Sequence, residues 1–141
     1  DRVKAFNEAY GKDGIIWFLE SCDLNVFDIR RAMWQMDQAG WFSNTAGFLI
    51  GRPLCYGEEM MGMDQYRAIL STAEKYKVPV IMDADLGHLP PAMPIVNGAL
   101  AEITYEEKQL SERRIMTETE FLEKFHITLD EKQLSIRYEY K

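Results

Sequence analysis

The sequence lacks an apolar segment long enough to cross a membrane. Its longest apolar runs, around Ile15–Leu19 and Phe48–Ile50, are far shorter than the ~18 residues that a membrane span requires. It also opens without the cationic and apolar regions of a signal peptide. Cysteine is scarce as well, because Cys22 and Cys55 form no CxxC pair and are too few for a disulfide scaffold. We therefore expect a cytoplasmic protein with reduced, partly buried thiols and no membrane partner.

Basic residues are outnumbered by acidic ones, 16 to 23, which gives a net charge of −7. Binding to a phosphate backbone needs clustered lysine and arginine, so we expect no nucleic-acid partner. The 141 residues are 47% hydrophobic and 28% charged, values typical of a globular chain of one domain. We therefore predict a single domain over 1–141. The chain begins with Asp1 rather than Met, which suggests a piece of a longer protein.

Hydrophobic segments with two different periodicities alternate in the first part of the chain. Short unbroken apolar runs indicate strands, the first of them buried on both faces, and apolar residues spaced three and four apart indicate helices. The predicted strands cover 15–19, 47–50 and 78–82, and the predicted helices cover 25–39 and 64–76. Asn25 and Asp64 are candidate N-caps. With right-handed crossovers, this order predicts an α/β fold with a parallel β-α-β-α-β core.

The last part of the chain contains a near-duplicate segment. Ile103–Ser111 and Ile127–Ser135 share seven of nine residues, and each predicts half of a hairpin or an edge strand. The expected hairpin turns lie at Glu106–Glu107 and at Asp130–Glu131. Alternating apolar and polar residues over 134–140 predict an antiparallel closing strand, and 117–125 predicts a short helix with capping-box spacing.

Each predicted strand is followed by residues that could take part in chemistry. Glu20 ends the first strand, Arg52 follows the second, and Asp83, Asp85 and His88 follow the third. Ligands gather outside the carboxyl ends of parallel strands, so these side chains should meet at one edge of the sheet. Glu20 could cap or salt-bridge the next helix, or it could orient a histidine as in a catalytic triad. His88 stands in a stiff Gly-His-Leu-Pro-Pro loop, where a structural and a catalytic role are both open.

Other interpretations of the same residues also stay open. A divalent metal could be ligated by Asp83, Asp85, His88 and Glu20, although their spacing matches no strong metal signature. The two aspartates more often accept hydrogen bonds that fix a loop. Arg52 could bind a substrate carboxylate with its bidentate fork, or it could form an internal ion pair. No serine lies in a G-x-S-x-G elbow. The sequence thus offers a candidate general base, His88, and a carboxylate that could orient it, Glu20, but no nucleophile. This combination suggests half of an active site.

Three segments, in order, resemble the C-terminal half of the LD-carboxypeptidase family. They are Trp17–Glu20, Gly47–Pro53 and Val80–Pro94, and the last contains a G-H-x-x-P-x-x-P loop. The family comprises serine peptidases that include muramoyl-tetrapeptide carboxypeptidase and the microcin C immunity peptidase. The resemblance covers about residues 10–105 and implies a swivelling β/β/α-type domain with antiparallel closing strands.

The resemblance also implies a Ser-Glu-His triad in which Glu20 and His88 are catalytic. The serine would lie on the protein's own N-terminal domain, which is absent here, so the isolated chain is expected to be inactive. The implied substrates are a peptidoglycan tetrapeptide or an aminoacyl-nucleotide-like amide, cleaved without a metal or an organic cofactor. A homodimer is a further possibility, and the acidic insert around 106–125 is longer than the family's usual closing strands. A metal-dependent hydrolase and a non-catalytic binding domain are the alternatives.

Overall fold

The computed structural model describes residues 1–107 and 132–139. The chain divides into two compact units, Asp1–Pro94 and Ile95–Lys141. The assignment of 1–141 to a single domain stays a prediction. Within the described ranges, no helix is both long enough and apolar enough to cross a bilayer.

The first unit has a parallel three-strand sheet with strand order β1-β2-β3. Its elements follow one another in the order α1 Arg2–Tyr10, β1 Ile15–Leu19, α2 Val26–Gln38, β2 Thr45–Gly51, α3 Gln65–Ala73 and β3 Val80–Ala84. Trp17 of β1 lies opposite Phe48 of β2, and Leu49 of β2 lies opposite Ile81 of β3. The predicted α/β fold with its β-α-β-α-β core is therefore confirmed.

Both predicted N-caps begin their helices. The side chain of Asn25 accepts hydrogen bonds from the backbone N–H groups of Phe27 and Asp28, at 3.0 and 3.1 Å. The carboxylate of Asp64 accepts from the N–H of Arg67 at 2.7 Å. The predicted helix over 64–76 is α-helical only to Ala73, and its last residues form a 3₁₀ turn.

The hydrophobic core lies between one face of the sheet and the helices α2 and α3. Phe48 and Ile50 of β2 pack there with Ile29 and Met33 of α2, among other buried residues. Two right-handed crossovers that step in the same direction place both helices on the same face of the sheet. The opposite face receives neither helix, and Phe18 of β1 is 38% exposed. The prediction that the first strand is buried on both faces is therefore wrong.

Helix α1 has no counterpart among the sequence predictions. Asp1 caps it, because its carboxylate accepts from the N–H of Val3 at 3.1 Å. The ring of Phe6 packs against Trp17 of β1 and against Trp41, with ring centroids 6.1 and 5.5 Å apart. These aromatic contacts join α1 to the edge of the sheet that β1 forms.

The second unit contains an antiparallel pair, β4 Leu100–Glu107 and β5 Lys132–Glu139. The predicted closing strand is therefore confirmed. The predicted turn at Glu106–Glu107 is wrong, because both residues lie in β4 and pair with Gln133 and Lys132. Tight hairpin turns favour Gly, Asn or Asp at positive φ, which an acidic Glu-Glu pair does not supply. The predicted helix over 117–125 and the turn at 130–131 lie outside the described residues.

Candidate active site

Glu20 and His88 lie side by side, although 68 residues separate them in the sequence. Nδ1 of His88 is 2.9 Å from Oε2 of Glu20. Glu20 directly follows β1 and His88 lies in the loop after β3, so two parallel strands bring them to the same edge of the sheet. The Glu20 side chain is 18% exposed and that of His88 is 54% exposed. The expected placement of the two residues is confirmed.

The contact with Glu20 selects which ring nitrogen of His88 carries the proton. A carboxylate only accepts hydrogen bonds, so Nδ1–H donates to Glu20 and the neutral ring has its lone pair at Nε2. A lone pair at Nε2 can take a proton from a nucleophile, and an anion beside Nδ1 stabilises the imidazolium that results. The pair therefore has the geometry of a general base with an orienting carboxylate.

Cys22 contacts both members of the Glu20–His88 pair. Its backbone N–H donates to Oε1 of Glu20 at 2.7 Å, and its Sγ lies 3.6 Å from Nε2 of His88. Its φ is 50°, a left-handed conformation that residues other than glycine adopt rarely and mostly where surrounding contacts enforce it. No sequence pattern predicted a role for Cys22 at this site. Its position two residues after Glu20 was the available signal.

Gly87 allows the loop that carries His88 to lie directly against Glu20. Its φ is +94°, a conformation that favours glycine. A Cβ at this position would lie 2.7 Å from Oε1 of Glu20 and closer still to Cγ and Cδ. Any larger residue at 87 would therefore displace the carboxylate that binds His88.

Arg52 holds the same loop at two points that flank His88 in the sequence. Its Nη2 lies 2.8 Å from Oδ1 of Asp85 and donates to the backbone carbonyl of Pro91 at 2.8 Å. Arg52 is 8% exposed. Of the two roles that the sequence leaves open for Arg52, the structure contains the internal ion pair. Substrate binding by Arg52 stays a prediction.

A sequence model of the LD-carboxypeptidase C-terminal domain matches residues 4–103. The chain belongs to this family. The match includes the whole parallel sheet and the loop with His88, and it ends within β4. No curated protein and no solved structure matches the chain. The family membership inferred from the three sequence segments is thereby confirmed.

Asp83 of this LD-carboxypeptidase C-terminal domain belongs to a separate polar cluster. Strand β3 ends at Ala84, two residues later than predicted, so Asp83 lies within the strand and not after it. Its carboxylate accepts from the hydroxyl of Tyr66 at 2.7 Å and from Nε2 of Gln65 at 3.1 Å. Burial, followed by the hydrogen bonds with Tyr56 and Asp83, raises the pKa of Tyr66 far above its ordinary value. Tyr66 therefore keeps its proton and binds Asp83 to α3.

The four residues of the metal hypothesis are divided among three sets of contacts. Glu20 binds His88, Asp85 binds Arg52, and Asp83 binds residues of α3. In the part of the chain that the structure describes, no group of three His, Cys, Asp or Glu side chains is arranged to hold a metal ion. The four residues therefore do not form one ligand set.

Proposed function

We propose that the chain is the base-carrying half of a Ser-Glu-His peptidase. Its substrate would be the amide before a terminal D-alanine of a peptidoglycan tetrapeptide, or an aminoacyl-nucleotide-like amide. Glu20 and His88 would be catalytic, and the serine would come from an N-terminal domain that precedes this chain. Membership of the LD-carboxypeptidase C-terminal domain family supports the peptidase class. The observation that carries the proposal is the 2.9 Å contact between Nδ1 of His88 and Oε2 of Glu20.

The unequal exposure of the two side chains fits their unequal proposed roles. Glu20 is 18% exposed and receives the N–H of Cys22 on its second oxygen, so both of its oxygens are engaged. An orienting carboxylate has to be held in this way, because it fixes the tautomer and the direction of the imidazole. His88 is 54% exposed, which leaves its ring accessible to a nucleophile that another domain supplies.

In the proposed reaction, the serine oxygen attacks the amide carbonyl while Nε2 of His88 takes the serine proton. Glu20 accepts the hydrogen bond from Nδ1–H and stabilises the imidazolium. His88 then gives the proton to the leaving amine nitrogen, the C–N bond breaks, and an acyl-enzyme remains. Water, deprotonated by the same imidazole, hydrolyses the ester and frees the serine. These steps use neither a metal ion nor an organic cofactor.

The experiment compares the 141-residue chain with the same chain extended by the coding sequence that precedes Asp1. Release of D-alanine from a muramoyl tetrapeptide and hydrolysis of an aminoacyl sulfamate nucleotide are the two assays. We expect turnover only from the extended protein, because loss of the nucleophile costs on the order of 10⁶-fold in kcat in a comparable triad. In the extended protein, His88→Ala should cost a similar factor and Glu20→Ala about 10⁴-fold.

His126→Ala, which removes the other histidine, and Glu59→Ala, which removes an exposed carboxylate, are matched controls. Both should retain turnover. Robust turnover by the 141-residue chain alone would mean that the nucleophile is misassigned. Loss of activity in a chelator with recovery in zinc or manganese would favour a metal-dependent hydrolase. An inactive extended protein with an intact serine elbow would favour a non-catalytic binding domain.

A further inference from the structure

The thiol of Cys22 lies where a catalytic base meets its nucleophile. Its Sγ is 3.6 Å from Nε2 of His88, while Nδ1 of the same ring is bound to Glu20. A thiol, an imidazole and a carboxylate in this order form the arrangement that activates a cysteine, with the imidazole as base and the carboxylate as its orienter. All three residues belong to this chain, so the arrangement does not depend on a second domain.

We propose that Cys22 is a nucleophilic thiol activated by His88 and Glu20, and that it is a covalent modification site for soft carbon electrophiles such as α-halo amides. In the reaction, Nε2 of His88 takes the thiol proton and the sulfur attacks the carbon that bears the halogen. The C–S bond forms as the carbon–halogen bond breaks, and the halide leaves with its electron pair. The imidazolium afterwards loses its proton to solvent.

Two backbone hydrogen bonds hold Cys22 at this position. Its N–H donates to Oε1 of Glu20 at 2.7 Å, and its carbonyl oxygen accepts from the N–H of Leu54 at 2.7 Å. A non-glycine residue at a φ of 50° is strained, so such a turn persists where neighbouring contacts enforce it. The contacts with Glu20 and Leu54 supply that enforcement. The backbone of Cys22 is thus fixed from both sides while its Sγ lies against His88.

Cys55 provides a matched reference within the same chain. Both thiols are free and both are partly buried. The Sγ of Cys55 lies 3.8 Å from the carbonyl oxygen of Asp23, so its contact is with a carbonyl and not with an imidazole. Burial, followed by the nearby carboxylates of Glu58 and Asp23, raises the pKa of the Cys55 thiol. The two cysteines therefore have the same class of exposure, but only Cys22 has an imidazole beside its Sγ.

The experiment measures alkylation of the 141-residue chain by iodoacetamide at pH 7, with the rate at each cysteine read by peptide mass spectrometry. Nε2 of His88 lies 3.6 Å from Sγ of Cys22 and can take its proton, whereas Cys55 contacts a carbonyl, so we expect Cys22 to react roughly tenfold faster than Cys55 in the folded chain. In concentrated urea the two rates should become similar, because the contact with His88 is lost. The readout involves no peptidase substrate, so its outcome is independent of the proposed function.

Two variants test the contributions of the base and of its orienter. His88→Asn should bring the Cys22 rate close to that of Cys55, and Glu20→Gln should lower it by a smaller factor. The Cys55 rate should stay unchanged in both variants, which also reports that they are folded. Equal rates at Cys22 and Cys55 in the native chain would overturn the proposal, as would an unchanged Cys22 rate in folded His88→Asn. A rate ratio that persists in urea would also overturn it, because it would then come from local sequence alone.

Discussion

Replacing Gly87 with alanine should separate Glu20 from His88 without removing either residue. The added Cβ would lie 2.7 Å from Oε1 of Glu20, and a φ of +94° is unfavourable for alanine. Glu20 can relieve the overlap by rotating away, because the overlapping atoms belong to its flexible side chain. That rotation breaks its hydrogen bonds to the N–H of Cys22 and to Nδ1 of His88.

The expected loss of stability has two parts. Alanine in a left-handed conformation costs about 1–2 kcal/mol. Each of the two hydrogen bonds that Glu20 gives up contributes about 0.5–1.5 kcal/mol. We therefore expect Gly87→Ala to lower the free energy of unfolding by about 2–5 kcal/mol. Gly62→Ala is the matched control, because its φ is +76° but no atom beyond its chain neighbours lies within 4 Å of the added Cβ. It should cost about 1–2 kcal/mol.

Urea unfolding at pH 7 measures the difference in stability between the two variants. NMR of the histidine ring nitrogens, assigned with the help of His88→Asn, reports the contact with Glu20. The ring signals of His88 should change in Gly87→Ala and remain unchanged in Gly62→Ala. Equal losses of stability, together with unchanged His88 signals in Gly87→Ala, would show that Gly87 does not keep Glu20 against His88.

A buried carboxylate at the end of α2 and the arginine that holds the loop after β3 can be tested in the same way. Burial alone would raise the pKa of Asp37, but hydrogen bonds from Lys75 and Tyr76 outweigh it and hold the pKa below its ordinary value of 3.8. The ionised carboxylate therefore stabilises the fold above about pH 3.8, and this contribution is lost as the pH falls through the folded pKa. In urea unfolding, Asp37→Asn should cost about 1–3 kcal/mol at pH 7. It should cost progressively less at acid pH, and an equal cost at pH 7 and at about pH 2 would contradict this account. Arg52→Met should cost about 1–3 kcal/mol, because the carbonyl of Pro91 loses its donor. It should also speed amide hydrogen exchange in the loop, and unchanged exchange would show that Arg52 does not hold it.

Local sequence was sufficient for the elements of the parallel core. Asn25 and Asp64 each precede apolar residues at helical spacing, and each caps its helix in the structure. A capping hydrogen bond spans two or three residues, so near neighbours decide it. The end of β4 was less predictable, because Glu106–Glu107 continues as a strand through pairing with β5. That pairing joins residues far apart in sequence, and no local pattern encodes it.

The order of strands and helices in the sequence is also enough to place Glu20 and His88 at one edge of the sheet, because the direction of parallel strands brings their carboxyl ends together. Which atoms meet at that edge depends on the folded loops. The approach of the Cys22 thiol to His88 depends on a left-handed turn after β1 and on the path of a loop that arrives 66 residues later. Arg52 lies in an ion pair because the loop after β3 packs against it. Phe18 is exposed because both helices lie on the other face of the sheet. Side-chain contacts of this kind depend on how distant segments approach each other, and sequence periodicity does not predict that approach.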